Sequence, residues 1–258
     1  MRLTDALGMD ARALVAFVGA GGKKTAMGQL AAEGAREGLD VGYTTTTAMP
    51  PPPDLPLTLT VRDGYPYVIS DHDPPLAFAR EWVTNPERAA EKVRGFDPEF
   101  LRSVYYSGVF DRLLVKADGA RRREFKAPGE DEPVVPSAAT HVVPVASVAA
   151  VGEPLTTDAV HRPERVAALT GLDVGDPITA EAVGTVLAHP EGGRRNAPSS
   201  ASVVPLVNKA DTEARRATAI DVLDHALAET DRLSRGVVTS FETGVCEPVG
   251  LPTAEAGD

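Results

Sequence analysis

Apolar, β-branched runs bounded by glycine or polar turns recur at Leu14–Val18, Val41–Thr44, Arg112–Ala117, His141–Val145, Ser202–Val207 and Gly236–Ser240. Such runs predict strands, most of them buried on both faces as in a parallel sheet. Between them the period changes. Thr25–Glu37 carries Met27, Leu30 and Ala31 at helical spacing, and Pro163–Thr170, Thr179–Ala188 and Thr212–Glu229 read as further helices. Strand alternating with helix predicts an α/β fold with a doubly wound, mostly parallel sheet. Leu57–Val61 and Tyr67–Ile69 read as an edge hairpin, followed by a helix near Leu76–Val93. The expectation is a single domain over residues 1–250 with an edge insertion near 50–95, and a flexible tail at 251–258.

Composition narrows the classes. With 258 residues and 43% hydrophobic content the chain can bury a substantial core. No run approaches the roughly 20 apolar residues that span a bilayer. The first apolar run follows Asp5 and Asp10 rather than a basic segment, so no secretory signal is read. Cys246 is the only cysteine, which excludes an internal disulfide, and no Cys/His cluster has metal-site spacing. A reducing, cytoplasmic setting without membrane contact is expected. The formal charge of −11 argues against general nucleic-acid binding, with the consecutive Arg121, Arg122 and Arg123 as a local exception. Of 26 basic residues only six are lysines, namely Lys23, Lys24, Lys92, Lys116, Lys126 and Lys209. All but Lys92 fall in or beside the motifs that carry chemistry.

The first motif is VGAGGKKTAM at 18–27, a strand running through glycines into two lysines, a threonine and a helix. Backbone N–H groups of such a loop surround a phosphate, and a lysine neutralises its oxygens. Gly19, Ala20, Gly21, Gly22, Lys23, Lys24 and Thr25 are therefore candidates to hold a nucleoside triphosphate, with Thr25 also on Mg²⁺. The spacing departs from the common G-x-x-x-x-G-K-[ST], so the phosphate lysine is either Lys23 or Lys24, the latter carried as the catalytic candidate. The second motif, RLLVKADGARRREFKAP at 112–128, delivers Asp118 from a strand end, where a P-loop enzyme places the acid that holds Mg²⁺ directly or through water. Beside it, Arg121–Arg123 could bind an anionic substrate, or Arg122 could act as an arginine finger. The third motif is VVPLVNKAD at 203–211. A buried strand ending in N-K-x-D reads guanine, the Asp211 carboxylate pairing with N1–H and the exocyclic amine while Asn208 and Lys209 brace the pocket. Its plainer reading is a turn in which Asp211 caps the following helix. Thr44–Thr47 could offer hydroxyls to Mg²⁺ or phosphate, and His161 and Arg162 precede a proline-initiated helix.

Taken together, FVGAGGKKTAM, YTTTTAMP, LLVKADGARRREFKAPGEDEPVVP, VHRPE and LVNKAD resemble, in order from Phe17 to Asp211, the YqeC family of accessory proteins to selenium-dependent molybdenum hydroxylases. The resemblance implies a P-loop NTPase-type fold, GTP or ATP with Mg²⁺ as cofactors, a molybdenum hydroxylase or its cofactor-processing proteins as partners, and a homodimer by analogy with related nucleotide switches. This chain departs from the family in two places: Lys116 stands where VEADGA has an acid, and GGKKT replaces GGKTT. The expected function is a GTP-dependent switch or slow NTPase. A small-molecule kinase or nucleotidyltransferase, and a nucleotide sensor without turnover, are the alternatives.

Overall fold

The computed structural model describes residues 1–60, 74–83 and 91–250. In chain order its strands begin β1 (Ala13–Gly19), β2 (Val41–Thr45), β3 (Ala48–Met49), β4 (Leu57–Leu59), β5 (Leu76–Ala79), β6 (Glu81–Val83) and β7 (Lys92–Arg94). They continue β8 (Arg112–Lys116), β9 (Phe125–Lys126), β10 (His141–Ser147), β11 (Val160–His161), β12 (Ser202–Val203), β13 (Leu206–Asn208), β14 (Gly236–Ser240) and β15 (Val245–Val249). The α-helices are α1 (Leu3–Ala6), α2 (Lys23–Arg36), α3 (Pro98–Ser107), α4 (Pro163–Thr170), α5 (Ala180–Ala188) and α6 (Glu213–Ala228).

The main sheet runs in the order β15, β14, β13, β10, β1, β8, β2, β5, β4, with β12 also beside β10. Its pairs are parallel except β14 with β15. Successive side chains of a strand point to opposite faces, and β1 divides accordingly. Leu14, Ala16 and Val18 enter an apolar layer with Leu101 and Val104 of α3, Val183 of α5 and Val222 of α6. Ala13, Val15 and Phe17 enter the other, with Leu3 of α1 and Met27 and Leu30 of α2. Helices thus cover both faces, the doubly wound α/β arrangement expected of a P-loop NTPase-type fold. Phe17 is fully buried, and truncating such a side chain to alanine costs about 3–5 kcal/mol. Because the strands are parallel, the carboxyl ends of β1, β8 and β13 share one edge, where ligands of such sheets bind.

The segment near 50–95 differs from expectation. Leu57–Leu59 pairs in parallel with Leu76–Ala79 at the sheet edge, and strands at Leu76–Ala79, Glu81–Val83 and Lys92–Arg94 occupy the described part of the region read as helix. The reason is enclosure: all four residues of Leu76–Ala79 are buried, and β5 lies between β2 and β4. A run this short has no period that separates helix from strand. Tyr67–Ile69 and residues 251–258 lie outside the described residues. Ser202–Val207 is two short strands rather than one, interrupted at Val204 and Pro205. No described helix is long and apolar enough to cross a membrane.

Candidate functional site

Three glycines set the course of the loop that leaves β1. A Cβ on Gly19 would lie 2.2 Å from the Val145 carbonyl oxygen of β10. At Gly21, with φ 78°, it would meet the Ser147 nitrogen at 2.5 Å, and at Gly22, with φ 146°, the Asn208 Nδ2 at 2.3 Å. Only glycine tolerates both the backbone angles and the close approach. Helix α2 then begins at Lys23 with Gly22 as its N-cap residue. The N–H groups of Lys23, Lys24 and Thr25 therefore have no acceptor within the helix, and its positive end favours an anion.

The two adjacent lysines part company here. Lys24 and Thr25 are exposed on the first turn of α2, whereas Lys23 is buried. The Lys23 ammonium donates to the Gly19 carbonyl and lies 2.5 Å from Asp118 Oδ1. Asp118, just beyond β8, is 1% exposed and its Oδ2 accepts the Gly19 N–H at 2.8 Å. The same Oδ2 faces the Lys126 ammonium at 2.9 Å. Lys126 in turn donates to the Gly119 carbonyl at 2.7 Å and to Glu132 Oε2 at 2.8 Å, and Arg162 Nη1 closes the chain on Glu132 at 2.8 Å. Burial alone would push the Asp118 carboxyl up, but the charges of Lys23 and Lys126 outweigh it and hold the group below the ordinary carboxylate range. Glu132 is likewise drawn down to about 2, against its burial, by Lys126 and Arg162. Lys116 donates to Thr47 Oγ1 at 3.0 Å and to the Ala48 carbonyl at 3.3 Å. Burial, then the charge of Lys23, lowers Lys116 to about 7.

This set does not fit Mg²⁺, which asks for about six oxygens in near-octahedral array. Thr25 and Asp118, the expected ligands, do not share a cavity: Thr25 lines an open cleft, while both Asp118 oxygens face ammonium groups. A dication about 4 Å from a single ammonium is repelled by roughly 8 kcal/mol at an effective dielectric of about 20. Among the described residues no group of three His, Cys, Asp or Glu is arranged for a metal.

The NKAD residues stand beside the loop. Asn208 Nδ2 donates to the Gly21 carbonyl at 3.1 Å, and its Oδ1 accepts from Thr239 Oγ1 at 3.1 Å. Lys209, with φ 66°, places its ammonium 2.6 Å from Glu124 Oε1. Asp211 Oδ1 accepts from the Ser240 hydroxyl at 2.6 Å, and its Oδ2 lies 3.3 Å from Arg215 Nη1. Asp211 does not cap α6; the Thr212 hydroxyl does, accepting the Arg215 N–H at 3.2 Å. Thr25, Asn208, Lys209, Asp211, Phe241 and Glu242 line an open cleft of about 360 Å³, also bordered by Ala149 and Arg215. Of the glycine-loop candidates Thr25 borders this space with the three NKAD residues.

Other candidates are spent on the fold or stand apart. Thr44, Thr45 and Thr46 donate their hydroxyls to the carbonyls of Phe78, Lys116 and Val134, and Thr47 receives Lys116. His161 is held down to about 4 by burial and then by Arg162, Lys126 and Arg121, so it is neutral at pH 7. Arg121 and Arg122, with φ 48° and 63°, form an exposed turn closed by the Arg123 N–H on the Ala120 carbonyl at 2.8 Å. Both central residues at positive φ is a geometry usually left to glycine or asparagine. Glu132 and Glu124, the acidic partners of the lysines, were not among the residues the motifs singled out. Lys116 and Lys126 were flagged by the scarcity of lysine and by their place in the second motif, Lys116 also by its departure from VEADGA.

The family model described as YqeC protein matches residues 15–164. An Escherichia coli (strain K12) relative, described as uncharacterized protein YqeC, is 30% identical over 197 residues, covering 76% of this chain and 75% of the relative. No solved structure matches. The family-model match takes in the glycine loop, Asp118, Lys126, Glu132 and Arg162, and ends before Asn208.

Proposed function

The chain belongs to the YqeC family, and from that premise we propose that it binds a nucleoside triphosphate, GTP in preference to ATP, as a cytoplasmic accessory protein or slow NTPase in maturation of a molybdenum-containing hydroxylase. The observation that carries nucleotide binding is the Asn208 bond to the Gly21 carbonyl. It ties the candidate phosphate loop to the candidate base-reading motif, and Thr25 and Asn208 line one cleft. In this reading the first turn of α2 and Lys23 take the phosphates, Asn208 and Lys209 brace the pocket, and Asp211 reads the base. The molybdenum hydroxylase as client rests on the motif resemblance, and a homodimer on analogy.

Titration of the full chain with GTP, ATP and CTP tests the reading. Saturable binding with GTP at least tenfold tighter than the others is expected; no binding of any triphosphate would end it. A nucleotide sensor without turnover is the second reading, favoured by one observation. Both Asp118 oxygens face lysines, so this carboxylate is not available to activate water. Phosphate release from the bound complex would decide for the NTPase, and its absence for the sensor.

A further inference from the structure

We propose that the phosphate site supplies its own counter-charge from buried lysines and binds the triphosphate without a divalent cation. The inference rests on the nucleotide reading and deepens it. Two of the six lysines of a lysine-poor chain, Lys23 and Lys126, are buried beside Asp118 at the carboxyl end of β8. Their carboxylate partners are Asp118, at 2.5 Å from Lys23 and 2.9 Å from Lys126, and Glu132, which Lys126 shares with Arg162. Ammonium groups and Mg²⁺ compete for the same oxygens, and here the ammonium groups already hold them.

A triphosphate brings about four negative charges, which P-loop enzymes divide between a lysine, backbone N–H groups and Mg²⁺. In this chain the backbone contribution is intact at the start of α2, and the metal's share falls to fixed cations. Lys23 sits within the loop, on the Gly19 carbonyl, where it can exchange that bond for a phosphate oxygen while keeping Asp118. Asp118 then acts as a positioning residue that aims Lys23, and Lys126 and Glu132 hold Asp118 in place. Lys24, exposed beside it on the first turn, adds a further cation on the solvent side.

Isothermal titration of the full chain with GTP and ATP, in Mg²⁺ and in EDTA, tests this directly on the wild type. Affinity in EDTA is expected to equal or exceed that in Mg²⁺ by up to about tenfold, because the free triphosphate carries two more negative charges than its Mg²⁺ complex. Binding at least tenfold weaker in EDTA would overturn the inference and leave the nucleotide reading standing. No binding in either buffer would remove both. Lys126→Gln, once its circular dichroism matches wild type, should lose tenfold or more in EDTA and less in Mg²⁺. Equal losses in the two buffers would count against lysine as the counter-charge.

Discussion

The Asn208 amide reaches the Gly21 carbonyl at 3.1 Å across 187 residues of sequence, so the end of β13 holds the turn of the glycine loop proposed to take phosphate. Its other end is fixed by the Thr239 hydroxyl of β14. Asn208→Ala leaves both partners without it, at a cost of about 1–3 kcal/mol in urea unfolding. Triphosphate affinity should fall about tenfold or more, since the loop loses its tether. Unchanged affinity in a destabilised variant would show that Asn208 serves the fold alone.

Lys23 and Lys24 are neighbours in sequence but not in environment, which makes single substitutions unequal. Lys23→Ala should weaken triphosphate binding by about 100-fold, or roughly 2.7 kcal/mol, because it removes the one of the two whose ammonium folds back onto the loop at Gly19. Lys24→Ala should cost less than about tenfold, as expected of an exposed charge at a helix N-terminus. Fluorescence titration of the two variants would settle the order; the reverse order would move the phosphate contact to the solvent side of α2.

Much of this was legible in the sequence, for reasons that differ by element. The strands of the main sheet were plain because burial on both faces leaves unbroken apolar runs. The described strands between Leu76 and Arg94 were not, because a four-residue run such as Leu76–Ala79 becomes a strand only when β2 and β4 flank it. Helix α3 lies outside every helix read from the sequence, although its start and stop signals are there. The Asp97 carboxylate accepts the Phe100 N–H, Pro98 opens the first turn and Gly108 closes the helix at φ 75°. In the site, the glycines were legible as positions that only glycine can fill, and NKAD as a strand-end motif beside them. The pairing of Asp118 with Lys126, and of Lys126 with Glu132, depends on where the chain returns after the arginine turn, and no spacing rule encodes that.

Lys116 offers a pH test. It titrates at 10.5 in a free chain and at about 7 when folded, its burial and the charge of Lys23 disfavouring the ammonium. Between those values the unfolded chain holds the extra proton, so this group makes stability rise with pH and costs most at pH 7 and below. Lys116→Met removes both the cost and the slope. The variant should be more stable by about 1–4 kcal/mol near neutral pH, as when a buried ion gives way to an apolar side chain. The gain should shrink as the pH rises towards 10.5 and vanish above it, where the wild-type group is neutral in either state. Thermal unfolding across this range would register a pH-independent gap if Lys116 were not buried as a near-neutral amine.

Asp211 separates a guanine reader from a general nucleotide binder using one carboxylate. The helix-cap explanation of its place in NKAD is removed, because the Thr212 hydroxyl caps α6. Asp211 instead accepts from Ser240 through Oδ1 and meets Arg215 through Oδ2, on the wall of the cleft that Thr25 and Asn208 share. Guanine presents N1–H and an exocyclic amine to such a carboxylate, and adenine presents no such donor pair. A buried polar group left without its partner costs about 1–3 kcal/mol, so a mismatched base should lose roughly tenfold or more. Asp211→Asn keeps the acceptor for Ser240 but puts an amide where the second oxygen was. That amide repels the guanine amine and can donate to the O2 carbonyl of xanthine, so GTP binding should weaken at least tenfold while XTP binding appears. Competition titration of GTP, ATP and XTP against wild type and variant reads both changes at once. If all three affinities match wild type, NKAD does not touch the base, and the chain is a phosphate-loop protein whose base preference lies elsewhere in the cleft.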